Sequence, residues 1–276
     1  MRRISVFAIV TILIVVISFG CLQPNSLNDA PTPGRKAFDS RETLTQISTL
    51  GALMEGVYDG SVTVGSLKQY GDFGLGTLES LDGEMIEQDS NFYQVKVDGT
   101  VNPVPDAIKV PFACLTFFDT DNQQLLQEGM DFQSTQSLID DLLPTVNIFH
   151  AIKISGTFSY MKTRSVPAQT QPYPPLSEVT KHQRVFEFKE IEGTIIGFRC
   201  PPYTGSINLP GYHFHFLSKE KNAGGHVLDF RTRNATVFID YTPNLLMLLP
   251  EHEGSFREVD LIPADEKNEA MEKVEK

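Results

Sequence analysis

The stretch Leu209–Phe230, LPGYHFHFLSKEKNAGGHVLDF, places three of the chain's six histidines, His213, His215 and His226, within fourteen residues. In a strand successive side chains point to opposite faces. His213 and His215 therefore share one face, about 6.8 Å apart along the backbone, while Phe214 and Phe216 take the other and face the core. Ser218 to Gly225 (SKEKNAGG) is polar and ends in Gly-Gly, residues that turn a chain back, so His226 opens a return strand beside the first. The spacing predicts a β-hairpin carrying three imidazoles on one surface. Three neutral imidazoles at about 2.0 to 2.1 Å suit Zn2+ and leave a position for water or substrate, as a catalytic site requires. The competing reading, surface or satisfied core histidines, is kept for His150, His182 and His252, which have no such company.

Outward from the hairpin the second half reads as strands at Val185 to Phe188, Gly193 to Arg199, Gly211 to Leu217, His226 to Arg231 and Ala235 to Tyr241, then a C-terminal helix. Val166 to Leu176 (VPAQTQPYPPL) is too rich in proline for strand or helix and marks a subdomain boundary. Before it, Asn147 to Arg164 reads as strand and Ser134 to Leu143 as a short helix. Short strands (VTVGSL, GTLESL, FYQVKV, FACLTFF) separated by Asp-Gly or Pro turns fill the segment to about Phe118. Asp39 to Val57 carries Leu44, Ile47, Leu50, Leu53, Met54 and Val57 at three- and four-residue steps, which predicts an amphipathic helix. The pattern is that of an α/β chain (α+β, mixed sheets) with two subdomains, residues 38–165 and 166–276, the zinc site lying on strands of the second.

Composition narrows the partners. With 276 residues, 41% apolar and 21% charged, the chain can bury a large core. A net charge of -12 with no Lys/Arg cluster argues against nucleic acid, whose binding draws on clustered cations. Arg2 and Arg3 followed by an apolar run from Ile4 to Phe19 and then Gly20-Cys21 read as an export segment, residues 1–20. Cys21 fits a lipidated first residue, although Phe19 stands where a small residue is usual. An uncleaved anchor and plain secretion are the alternatives. Residues 21–37, rich in Pro, Asn and Ser, read as a flexible linker. The expected location is outside the cytoplasm, membrane-anchored or secreted. Cys114 and Cys200 read as buried thiols.

Two resemblances bear on the histidines. H-x-H begins the metal motif of cupins, and Glu220 falls at a tolerable spacing, but Ile207 stands where that motif needs glycine and its second motif is missing. GYHFHFLS...GGHVLDF, GVYDGSVTVGSLKQYGDFGLGTLESLDGEMI (Gly56 to Ile86) and LPTVNIFHAIKISGTFSYMKTRSV (Leu143 to Val166) together resemble the acetolactate decarboxylases, over almost everything from about Thr45 onward. That resemblance implies conversion of 2-acetolactate into acetoin and CO2 with one zinc on His213, His215 and His226. It also implies an active-site glutamate at Glu84, an arginine at Arg164, and a homodimer joined through the N-terminal halves. A glutamate of the C-terminal tail, Glu272 or Glu275 in MEKVE, is implied to reach back into the site. The chain departs from the family in its N-terminal anchor and in Cys200 with Pro201-Pro202.

The chemistry gives these residues work. Loss of CO2 from a 2-hydroxy-3-keto acid leaves two electrons on C2, and a neighbouring ketone held by a cation accepts them without pyridoxal or thiamine. A tight grip by Arg164 on the departing carboxylate would stabilise the ground state, so its expected role is to orient substrate and steady the enediolate oxygens. Either Glu84 or a tail glutamate supplies the proton to carbon. A membrane-anchored protein that captures zinc without turnover would need only the histidines and the anchor, and remains the rival.

Overall fold

The computed structural model describes residues 41–251 and 254–261. The export segment, the linker with Cys21, His252, and the tail carrying Glu272 and Glu275 lie outside the described residues. In chain order the first part contains β1 (Thr43–Ile47), α1 (Leu50–Met54), β2 (Val62–Thr63), α2 (Val64–Leu67), β3 (Phe73–Thr77), β4 (Glu84–Gln88), β5 (Asn91–Val95), β6 (Val101–Pro103), β7 (Lys109–Val110) and β8 (Phe112–Thr116). There follow β9 (Asn122–Leu125), α3 (Phe132–Leu142), β10 (Phe149–Ser165), α4 (Leu176–Val179), β11 (Arg184–Cys200), β12 (Gly211–Ser218), β13 (Gly224–Thr242), β14 (Asn244–Leu248) and α5 (Gly254–Glu258).

Two large sheets organise the chain. One runs β14-β1-β8-β3-β4-β5-β6 and is mixed, because β14 lies parallel to β1 while its other pairs are antiparallel. The other runs β10-β11-β12-β13-β9, with β10 also paired to β13 so that four strands close on themselves. This second sheet is antiparallel in every pair, not mixed as expected. The expected division at 165/166 also needs correcting at the level of strands. β9 and β10 belong to the histidine-bearing sheet, and β14 returns to the first sheet to pair with β1.

Apolar side chains sort into three clusters. Between the sheets, Leu44, Phe73, Leu75, Ile86 and Phe112 meet Ala151, Ile196, Phe198 and Cys200. Phe214 and Phe216 join Ile152, Ile154, Val237 and Ile239 on the opposite face of the second sheet. Val64, Leu67, Met85, Ala113 and Leu115 cover the outer face of the first. Cys114 and Cys200 are buried free thiols, as expected.

The helix expected over Asp39 to Val57 is instead β1 followed by the short α1. Every residue of β1 is buried, because it is an interior strand between β14 and β8, so its polar residues do not mark a solvent face. Gln46, which breaks the apolar pattern, is satisfied internally: its amide donates to the carbonyls of Ser48 and Ile207 and accepts from Asn208. Ser48, with φ of 61°, turns the chain, and the Thr49 side chain caps α1 by accepting from Ala52 N. VTVGSL likewise leaves β2 for α2 after a Thr63 cap, and GTLESL ends its strand at Thr77, with Ser80 and Leu81 at positive φ. The separate strands expected within 185–199 and 226–241 are single long strands, β11 and β13. Among the described residues no helix is long and apolar enough to cross a membrane.

Candidate active site

The hairpin forms as its sequence predicts. β12 and β13 pair antiparallel with His215 directly opposite His226, and His226 is in turn opposite Arg164 on β10. Residues facing each other across adjacent strands project to the same side, so Arg164, His226 and His215 form one row across three strands. His213 lies two residues along β12 on the same face. The three imidazole rings are 5.0 to 5.5 Å apart between centroids, and one ring nitrogen from each lies within 4.8 Å of the others.

Two of these rings, His213 and His215, are held neutral. All three are buried. Burial first, and then the charge of Arg164, push His213 down to about 3, while burial, His213 and Arg164 also hold His215 well below the usual histidine range. His215 Nδ1 lies 2.9 Å from the carbonyl oxygen of Met85 on β4. A carbonyl only accepts, so Nδ1 carries the hydrogen and Nε2 presents its lone pair. Among the described residues that buried Nε2 has no hydrogen-bond partner. A neutral imidazole whose far nitrogen donates to a carbonyl while the near one points at two other imidazoles is the arrangement of a metal ligand, and the three histidines fit zinc.

The opposite wall comes from the first sheet. Glu84 opens β4 straight after Gly83, which sits at φ of 80° and so suits a residue without a Cβ. Gln94 donates to the Asp82 carbonyl at 2.6 Å, Thr77 donates to the Gly83 carbonyl at 2.7 Å, and Lys96 pairs with Asp82 at 3.1 Å. The turn is thereby fixed before the carboxylate. Glu84 Oε1 lies 3.2 Å from Arg164 Nη1 and its Oε2 3.4 Å from His215 Nε2. Glu84 and Arg164 are 6% and 4% exposed. A buried pair of this kind is weak evidence of stabilisation, because desolvation offsets the attraction. Its value here is a fixed charge arrangement facing the histidines.

Leu50, Leu53, Leu81, Phe112, Val166 and Leu176, with Thr77, complete a small pocket of about 40 Å3 that opens to solvent on one side. The apolar wall suits a small substrate with methyl groups, and the polar groups converge at one end. The structure thus brings together His213, His215, His226, Glu84 and Arg164; Glu272 and Glu275 lie outside the described residues. His150 does not join them: it is buried against Tyr241, and burial lowers it to about 4. Sequence reasoning missed the apolar wall, whose residues come from distant segments and carry no local signature. It also missed the Met85 carbonyl, which no side-chain motif can announce.

Three buried imidazoles, a buried carboxylate and a guanidinium around one small pocket define a candidate metal-dependent enzyme site, and the comparisons place it in a family. The alpha-acetolactate decarboxylase family model matches residues 44–263. The alpha-acetolactate decarboxylase of Methylococcus capsulatus is 48% identical over 83% of this chain and 87% of that protein. That of Methanosarcina mazei is 43% identical over 86% and 82%. The crystal structure of alpha-acetolactate decarboxylase from Bacillus subtilis strain 168 superposes with a TM-score of 0.82 at 37% identity, covering 84% of this chain and 99% of that one. The chain belongs to the alpha-acetolactate decarboxylase family and is a carboxy-lyase.

Proposed function

We propose that the chain decarboxylates 2-acetolactate to acetoin and CO2, with one zinc held by His213, His215 and His226. The observation that carries this is the convergence of three buried imidazoles, one with its Nε2 lone pair presented, on the pair formed by Arg164 of the same sheet and Glu84 of the facing one. Zinc, when bound, supplies a Lewis acid that polarises the substrate ketone. The chain does the rest. Arg164 orients the substrate and steadies the enediolate oxygens with a fixed fork of donors, so its benefit grows as negative charge leaves the carboxylate. Glu84 holds that fork in place and is one of two candidates for the proton that reaches carbon; the other is Glu272 or Glu275. The apolar wall and the burial of Glu84 and Arg164 lower the local polarity, which strengthens each of these interactions.

Acetoin formed from racemic 2-acetolactate, measured by colour assay with and without a chelator, tests the reading. Chelator-sensitive acetoin supports it. No acetoin from a fully zinc-loaded sample leaves a zinc-capturing protein in its place. We further propose export with anchoring through Cys21, supported by the Arg2-Arg3 start and the apolar run to Phe19; unchanged processing and membrane association after Cys21→Ser would remove the lipid anchor. A homodimer joined through the N-terminal halves is proposed on the resemblance and on β6, an edge strand of the seven-stranded sheet that lies in that half. Light scattering that gives a monomer mass overturns it.

A further inference from the structure

Arg164 and Glu84 sit on different sheets, yet their side chains meet at 3.2 Å. Apolar packing between sheets is adaptable and does not by itself set a distance so closely, so directional contacts beside the pair are needed. The two hydroxyl residues that flank Arg164 each make one: Ser165 reaches across to the first sheet, and Thr163 fixes the neighbouring strand within the second. Ser165 Oγ donates at 2.8 Å to the carbonyl of Val95, a hydrogen bond from β10 of one sheet to β5 of the other. Val95 is the direct strand partner of Glu84. The contacts therefore close a ring: Arg164 to Ser165 along the chain, Ser165 to Val95, Val95 across to Glu84, and Glu84 back to Arg164.

On the other side, Thr163 Oγ1 donates at 2.8 Å to the carbonyl of Gly224, two residues before His226. The β10–β13 ladder shifts register between Lys162 and Thr163, and Gly225 sits at φ of 129°. A bulge interrupts the regular backbone bonds, so a side-chain hydroxyl takes over the fixing of the strand that presents His226. Val95 also packs against this point, since a Cβ at Gly224 would stand 2.9 Å from Val95 Cγ2. Thr163 and Ser165 are both fully buried, and neither lines the pocket.

We propose that Ser165 and Thr163 are positioning residues of the active site, Ser165 setting the Arg164–Glu84 contact and Thr163 setting the strand that carries His226. The proposal rests on the reading of this pocket as the decarboxylating centre. If the two hydroxyls served packing alone, their loss would lower stability without a selective effect on chemistry or metal.

The test uses the full zinc-loaded chain, with zinc content and thermal unfolding measured for every variant. Ser165→Ala should keep its zinc and lose about 10-fold or more in kcat with a smaller change in KM, as expected when a transition-state donor is displaced by a fraction of an ångström. The same change in an Arg164→Lys background should cost almost nothing further, because the group it positions is already compromised. Ser165→Cys, which keeps a weak donor, should recover part of the loss. Thr163→Val should weaken zinc retention against a competing chelator by about 10-fold, in the range for lost partners behind metal ligands. That readout needs no turnover, so it stands even if the wild type makes no acetoin, a result that would overturn the functional reading separately. Wild-type kcat in Ser165→Ala, or equal fold-losses with Arg164 and with Lys at that position, overturns the role of Ser165. Unchanged zinc retention in a folded Thr163→Val overturns that of Thr163.

Discussion

Glu87 is a carboxyl group in the wrong place for stability, and its removal makes a quantitative test of the structure. It lies on β4, opposite Gly74 and Phe92, with no exposure to solvent. Neither carboxyl oxygen has a hydrogen-bond partner among the described residues. Burial above all, then the nearby Asp72, raises its pKa from 4.5 to about 9, with Lys68 opposing. The folded chain thus holds a proton that the unfolded chain releases near 4.5, and stability falls as pH rises from there toward 9. At pH 7, about 2.5 units into that window, the loss is about 3 kcal/mol, at roughly 1.4 kcal/mol per unit. Glu87→Gln carries no titrating group. Its stability relative to wild type should therefore climb by about 3 kcal/mol between pH 4.5 and 7, whatever constant offset the amide brings. For a chain of this size that corresponds to a relative Tm gain of about 6 to 12 °C. Thermal unfolding of both proteins across pH 4.5 to 8 reads this directly, and taking the difference removes Asp240, which burial also raises, to about 8. Parallel Tm curves for the two proteins would refute the reasoning, because a group that does not titrate on unfolding cannot separate them.

Three predictions concern the site. His215→Ala should remove zinc and activity together with little change in the far-ultraviolet spectrum, since long paired strands rather than the ion hold the hairpin; stoichiometric zinc in the variant contradicts the ligand assignment. Arg164→Lys keeps the charge but loses the planar fork, so zinc should stay and turnover fall by about 100-fold, and wild-type turnover would make Arg164 structural. Truncation from Asp265 onward should leave a folded, zinc-loaded chain that is slow or releases acetoin of reduced enantiomeric purity. Rate and chirality measured on that form and on Glu272→Gln and Glu275→Gln separately decide whether the tail acts, and three matches to the intact chain remove it from the site.

The hairpin was legible because its determinants are local: alternation places His213 and His215 on one face, and the segment ending in Gly224-Gly225 returns His226 opposite His215. β1 was not, because an interior strand buried on both faces has no amphipathic period to read, and its leucine and isoleucine spacing imitates a helix when continued into α1. Glu84 and Arg164 stand 80 residues apart, and no composition or periodicity links them; only resemblance to the family did so. The boundary at 165/166 failed for the same reason. It was drawn where the chain becomes irregular, whereas the sheets are decided by which strands pair, and β10 pairs with β13 from Phe149 through Arg164. Residues 166–276 alone would keep all three histidines but lose β10, the strand hydrogen-bonded along almost the whole of β13, and with it Arg164. They would also lose the Met85 carbonyl that fixes the His215 tautomer. An excised 166–276 fragment should therefore fail to fold or to retain zinc, by circular dichroism and metal analysis, because the histidines become a site only where the second sheet meets the first.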